Sequence, residues 1–323
     1  MLRHCLACAL MAASAAAAKL AHADDLRESR DEAWWTGPLL APSPATLPQG
    51  HALVEPYLFD VITSGPTAHD LGSLSYVLYG VTDRVTAGLI PRLGYNQPSG
   101  APSSSGVGFG DLTLQAGYGL TRYQDGRRTP AISLVVQETL PTGRYDSLSR
   151  ASDGFGAGAY TTALAVYSQD FFWMPNGRIL RARLDLTFTF SSSVPVDDLS
   201  VYGTPKGFDG RAYPGDSFTA DAAQEYSLTR NWVLALDVVY QHNDSTRVSG
   251  SLPGSAAPPA AGAAAPSTPY EGASGSSWSI VFAPAIEYNF SSAVGVIVGL
   301  RIIEIGRNTT ASLTPAIAVN MVF

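Results

Sequence analysis

Three histidines follow position 23, namely His51, His69 and His242, and no two of them stand at the spacing of paired metal ligands. The expectation from them is no metal site, and nothing else in the sequence calls for a cofactor. Both cysteines, Cys5 and Cys8, fall before position 23, so thiol chemistry and cysteine-bound zinc are not expected beyond it. There is no Gly-x-Ser-x-Gly elbow, and Gly106-x-Gly108-x-Gly110 leads into a strand pattern, which suits a flexible loop end better than a phosphate cradle. His242 with Ser245 is the one local pair a hydrolase could use. Such a pair is defined by geometry that closeness in sequence does not supply, and the expectation is that the chain is no enzyme.

The more informative chemistry is a set of charges on one face of apolar segments. Arg92, Asp111, Glu138, Arg181, Arg183, Asp185, Asp221, Glu225, Asp237, Glu287 and Arg301 each interrupt a stretch of alternating polar and apolar residues. Charges of both signs on the inside of a closed sheet either line an aqueous path or pair across it. Groups kept from bulk water are usually matched to a partner, so pairing is the first expectation for them.

The elements that carry these charges have a period of two. Leu180, Ala182, Leu184, Leu186, Phe188 and Phe190 share one face, against Arg181, Arg183, Asp185, Thr187 and Thr189 on the other. From Trp232 to Tyr240 and from Trp278 to Phe290 the same alternation runs between aromatic ends, as in membrane strands whose rings sit at the two interfaces. Extended along the chain, the pattern predicts strands near 52–63, 71–80, 84–95, 109–121, 130–140, 158–168, 179–191, 216–228, 231–242, 277–290, 293–304 and 310–323. Twelve is even, as single-chain bacterial barrels require, with ten or fourteen as the neighbouring counts.

Connection lengths agree with this reading. Short links near 81–83, 124–128, 172–178, 229–230 and 291–292 alternate with long ones at 64–70, 96–108, 141–157, 192–215 and 243–276, with a tight last one near 305–309. That alternation is the one between periplasmic turns and extracellular loops. The loop 243–276 is rich in Ala, Pro, Gly and Ser, a composition too poor in apolar bulk to order itself, and is expected to be a mobile low-complexity surface loop.

Residues 1–23 read as a signal peptide, with Arg3 and His4 before an apolar run and Ala21-His22-Ala23 as the cleavage triplet. Cleavage after Ala23 removes Arg3 and Lys19 and takes the net charge from −7 to −9. So acidic a chain is not expected to bind nucleic acid. No later segment has about 18 consecutive apolar residues, which argues against a helical membrane protein. Residues 24–50 carry Trp34, Trp35, Pro38, Pro42, Pro44 and Pro48 before any strand. They cannot form a useful helix, and either hang in the periplasm or enter the lumen as a plug through Trp34 and Trp35.

The expected fold is therefore all-β, a closed antiparallel transmembrane barrel over 51–323 of the bacterial outer-membrane type. Outer-membrane lipid is its surroundings. The last strand alternates to a terminal Phe323, which resembles the signal read by the outer-membrane barrel assembly machinery. Several blocks resemble the outer-membrane family named for the meta-pathway of phenol degradation. These are Leu47-Pro48-Gln49-Gly50-His51 leading into Glu55-Pro56-Tyr57, Tyr79-Gly80-Val81-Thr82-Asp83-Arg84-Val85, Gly108-Phe109-Gly110-Asp111-Leu112, and Glu138-Thr139-Leu140-Pro141-Thr142-Gly143-Arg144-Tyr145-Asp146. The resemblance implies a channel or transporter that passes small molecules, often aromatic or hydrophobic, as its cargo. The competing readings are a structural or surface-interaction barrel with a filled lumen, an outer-membrane lipase or acyltransferase barrel, and a soluble periplasmic sandwich.

Overall fold

The computed structural model describes residues 27–65, 67–124, 126, 129–254 and 267–323. The expected signal peptide and its cleavage point lie outside the described residues. Among those described, eighteen strands form, here given in chain order: β1 (Ala52–Thr63), β2 (Ala68–Thr82), β3 (Val85–Ile90), β4 (Arg92–Gln97), β5 (Gly108–Phe109), β6 (Leu112–Thr121), β7 (Ala131–Leu140), β8 (Thr161–Trp173), β9 (Ile179–Ser191), β10 (Val194–Asp197), β11 (Asp209–Tyr213), β12 (Ser217–Ser227), β13 (Trp232–Asn243), β14 (Arg247–Pro253), β15 (Ser267–Ala273), β16 (Ser277–Asn289), β17 (Val294–Arg307) and β18 (Ser312–Val322).

Twelve barrel strands result. Pro91 has no N–H to give a ladder and divides one of them into β3 and β4, while Gly110-Asp111 divides another into β5 and β6. Each strand pairs antiparallel with its neighbour along the chain, leaving out β10, β11, β14 and β15. β1 bonds to β2 on one side and to β18 on the other, Tyr57 facing both Leu74 and Ala318, so the sheet has no edge. Closure matters because lipid offers no hydrogen bonds to an open edge.

Alternation then sorts the side chains. Leu234 and Leu236 are 45% and 41% exposed on the outer wall, whereas Val233 and Asp237 are fully buried inside. Trp232 and Tyr288 meet edge-on at 4.7 Å on the outer wall beside the short turns, where an interfacial ring belongs. The strand expected at 158–168 is instead Thr161–Trp173. Ser168-Gln169-Asp170 reads as a turn, but Gln169 points inward and accepts a hydrogen bond from Arg183 Nε at 3.0 Å, so the strand continues.

The long loops build a second sheet above the barrel, ordered β10-β11-β14-β15. Val194, Val196, Phe208, Ala212 and Val248 form its core with Ala159, and Tyr270 packs edge-on against Phe208 at 5.4 Å. This corrects the expectation of a mobile loop over 243–276. Its flanks supply Val248, Leu252 and Tyr270 to a shared core, and only the Ala and Pro run at 255–266 lies outside the described residues.

Candidate functional site: the lumen and the N-terminal segment within it

One wall of the lumen, from β9 through β12 and β13 to β16, carries the charges. Register sets Arg181 opposite Glu225, and the guanidinium grips that carboxylate through both Nε, at 2.6 Å, and Nη2. Arg183 Nη2 approaches the same carboxylate at 3.5 Å. Two residues further toward the loops, Asp185 stands opposite Asp221, and each keeps one buried oxygen without a hydrogen-bond partner. Asp237 and Glu287, on β13 and β16, are fully buried. Two uncompensated carboxylates so buried would be costly, and what compensates them comes from another part of the chain.

Residues 27–50 run inside the barrel at its short-turn end. Glu28 enters beside the turn 174–178, paired with Arg178 at 2.9 Å and accepting from Ser227 Oγ at 2.9 Å. Arg230 lies over the Trp34 ring at 4.4 Å, and Arg181 over the Trp35 ring at 4.7 Å. Thr36 and Gly37 then donate their N–H groups to Glu287 Oε2 at 2.7 and 3.3 Å. At the apex, Leu39, Leu40 and Ala41 donate theirs to the two oxygens of Asp237 at 3.0, 3.3 and 3.0 Å, and Arg183 Nη1 donates to Ala41 O at 2.6 Å. Prolines at 38 and 42 fix φ on either side of this tripeptide, leaving its three N–H groups turned toward one acceptor. Hydrogen bonds to an ionised acceptor are the strong kind.

The segment then returns to the short-turn end, where two of the sequence blocks mate. Leu47 N–H bonds to Thr86 Oγ1 at 2.8 Å and Gln49 N–H to Asp83 Oδ1 at 3.0 Å. A Cβ on Gly80 would lie 2.0 Å from Pro48 O, so only glycine admits this approach. The other two blocks mate at the opposite mouth. Asp111 accepts the N–H groups of Gly143 at 2.8 Å and Ala157 at 2.6 Å, and the Phe155 ring covers Gly108, whose Cβ would sit 2.0 Å from it.

Between the N-terminal segment and the opposite wall lies a cavity of about 870 Å³. Tyr57, Phe59 and Val61 on β1, Leu74 and Tyr76 on β2, and Tyr167 on β8 line it, facing Leu39, Leu40 and Leu47. Tyr57 and Tyr76 meet edge-on at 6.2 Å. The lumen thus carries its charges on the wall where the N-terminal segment docks and its aromatic rings along the cavity, with Leu39 and Leu40 packed between on Ala283, Ile297, Val281 and Tyr57.

The residues singled out in the sequence as lumen-lining separate into four groups. Arg181, Arg183, Asp185, Asp221, Glu225, Asp237 and Glu287 come together on the docking wall, and Arg92 and Arg301 line the cavity. Asp111 sits buried at the mouth as an anchor for the loop 141–157, because two loop N–H groups consume its carboxylate. Glu138 is a correction: it shares its face with Leu134 and Val136, exposed on the outer wall, and accepts from Thr162 Oγ1 at 2.6 Å. Its neighbour Gln137 takes the inward place and bonds to Gln115 at 2.7 Å. Adjacent Gln137 and Glu138 cannot both face in, and the more apolar row Ile132-Leu134-Val136 was the signal that placed Glu138 outside. Tyr57, Tyr76, Gln169 and Asn289, not singled out in the sequence, also face the lumen; Asn289 Oδ1 accepts from Thr36 Oγ1 at 2.9 Å. His242 points to Asp244 at 3.3 Å, and Ser245 Oγ accepts from Gly275 N at 3.0 Å, so these two residues do not form a catalytic pair. His69 pairs with Asp60 at 2.8 Å on the outer wall.

A sequence model of the family described as "Putative MetA-pathway of phenol degradation" matches residues 41–265. No curated protein matches the sequence. Among solved structures, an outer membrane channel from Pseudomonas putida F1 superposes with a TM-score of 0.64 at 16% identity, covering 88% of this chain and 100% of that one. The β domain of the Bordetella autotransporter BrkA gives 0.44 at 10% identity, covering 85% and 100%. A TodX monoaromatic hydrocarbon channel mutant gives 0.41 at 12% identity, covering 92% and 97%.

Proposed function

The chain belongs to this phenol-degradation family, and on that premise we propose that it is a channel of the bacterial outer membrane, passing small aromatic or hydrophobic molecules through a lumen that residues 27–50 obstruct. The observation that carries this reading is the two-sided lumen. A barrel whose interior served packing alone would be filled by its own wall side chains, as eight-stranded barrels are. Here about 870 Å³ remains, with aromatic rings along one side and the N-terminal segment along the other. That piece is held by hydrogen bonds and ion pairs to side chains, by isolated backbone bonds from Glu28 and Trp34 to the turn carbonyls of Gly177 and Arg230, and by the packing of Leu39 and Leu40, but it joins no strand ladder, so its release would not unzip the sheet.

Swelling of proteoliposomes in phenol or benzyl alcohol, compared with a sugar of similar mass, tests the reading. Faster swelling with the aromatic solutes supports it, and no solute-dependent swelling by an inserted barrel rejects it. The other reading with an observation behind it is a surface-interaction barrel, favoured by the independently cored sheet over the mouth. It predicts no swelling in any solute.

A further inference from the structure

The cavity is cationic although the chain is acidic. Net charge over the sequence is −7, yet the ionisable groups lining the cavity, tyrosines aside, are Arg92, Arg181, Arg183 and Arg301 against Glu55 alone. Arg181 and Arg183 are already committed, to Glu225 and to Ala41 O. Glu55 is committed as well, accepting from Asn320 Nδ2 at 3.2 Å. The guanidinium groups of Arg92 and Arg301 have no hydrogen bond or ion pair to any described residue, the bonds of these two residues being those of the backbone.

Placement makes this more than two surface arginines. Arg92 stands in register with Leu74, and Leu74 with Tyr57, so its guanidinium belongs to the same inward row as two cavity residues. Arg301 stands in register with Thr314, whose hydroxyl is buried and has no hydrogen-bond partner. Phe59, Tyr57 and Tyr76 lie along the same cavity. Two cations without counter-charges beside aromatic faces match a ligand that brings both a ring and an anion. A guanidinium takes a carboxylate through paired N–H groups, and an aromatic wall takes a ring by edge or face contact.

We propose that the cavity is a binding site for aromatic carboxylates of benzoate size, the carboxylate meeting the guanidinium of Arg92 or of Arg301 and the ring lying against Tyr57, Phe59 and Tyr76. This rests on the channel reading for its place in transport, but the site itself does not. Cargo would pass the arginines as an anion, so a neutral ring of the same size is the discriminating comparison.

The experiment is equilibrium binding of benzoate and of benzyl alcohol to the folded full-length barrel in detergent, alongside swelling of proteoliposomes in each. The wild type should bind benzoate at least tenfold more tightly than benzyl alcohol. The double variant Arg92→Gln, Arg301→Gln should lose about tenfold in benzoate affinity and leave benzyl alcohol unchanged, a size typical for one charge-assisted contact. The double variant Arg92→Lys, Arg301→Lys, which keeps both charges, should retain most of the preference and serves if the glutamine form fails to fold. Equal binding of the two ligands by the wild type, or an unchanged preference in the glutamine variant, overturns the site. Benzoate binding without swelling in either solute sinks the channel reading and keeps the site. Swelling with no benzoate preference does the reverse.

Discussion

Replacing Asp237 by Asn isolates the docking of the N-terminal segment from everything else in the barrel. Asp237 accepts three N–H groups from Leu39, Leu40 and Ala41, with Oδ1 taking two and Oδ2 one. Asn keeps the shape and one acceptor oxygen but turns the other position into a donor that faces an N–H. One bond is lost outright and the rest lose their charge assistance, at about 1.5–3 kcal/mol for a bond to an ionised group. A combined loss of about 3 kcal/mol shifts the docked-to-undocked ratio roughly 100-fold, at about 1.4 kcal/mol per decade. The contacts of Glu287 with Thr36 and Gly37 remain, so the apex loosens while the entry stays anchored. Single-channel recording in planar bilayers reads the result directly. The occupancy ratio of high-conductance to occluded states should rise by about two decades over wild type. Asp221→Asn is the control, since Asp221 faces the lumen but makes no hydrogen bond to residues 27–50. Unchanged recordings from a correctly folded Asp237→Asn barrel, or equal effects from the two variants, would refute the reasoning.

Three further outcomes are expected. Leu186→Arg puts a charge on the outer wall, where Leu186 is 39% exposed, and should cost about 2–4 kcal/mol near the midplane, seen as loss of the heat-modifiable band on detergent gels; Thr187→Arg, facing in, should keep that band. Gly80→Ala should loosen the N-terminal segment by forcing the backbone at Pro48 away, read as a raised open-state occupancy in the same recordings, since a Cβ there meets a backbone oxygen and not a movable side-chain end. In the loops, the N–H of Ser105, donating at 2.7 Å, holds the Asp153 carboxyl below the usual carboxylate range, and the Ser105 hydroxyl adds to this. A depressed folded pKa means that this tie is fully present above about pH 4 and is lost as pH falls through the lower folded value. The Ser105 amide chemical shift should therefore move in acid in the wild type and not in Asp153→Asn.

Much of the fold was legible because a period of two is a local property that each strand carries in its own residues. The outer row of β9, Leu184-Leu186-Phe188-Phe190, and its inner row, Arg181-Arg183-Asp185, were readable without reference to any other strand. Loop lengths gave the strand order by the same local means, and twelve strands followed. Parity fails where both rows are apolar, as at Val135-Val136, and there one residue's ambiguity turns Glu138 from lumen to lipid.

What the tertiary structure decided are the partnerships made across long stretches of chain. Asp237 and Leu39 are separated by 198 positions, and Glu287 and Thr36 by 251. No pattern within either segment encodes that a proline-flanked tripeptide will satisfy a carboxylate on the ninth barrel strand. Trp34 and Trp35 suggested burial, but the arginines they lie beside are met only once the barrel closes. The same holds for the second sheet, where Val194, Phe208, Val248 and Tyr270 come from loops too sparse in apolar residues to order singly and sufficient when pooled. Sequence settled which way each clear strand faces, because that is fixed by the pleat. Closure of the sheet settled which buried charge finds which partner, because burial leaves a polar group only the partners that folding brings to it.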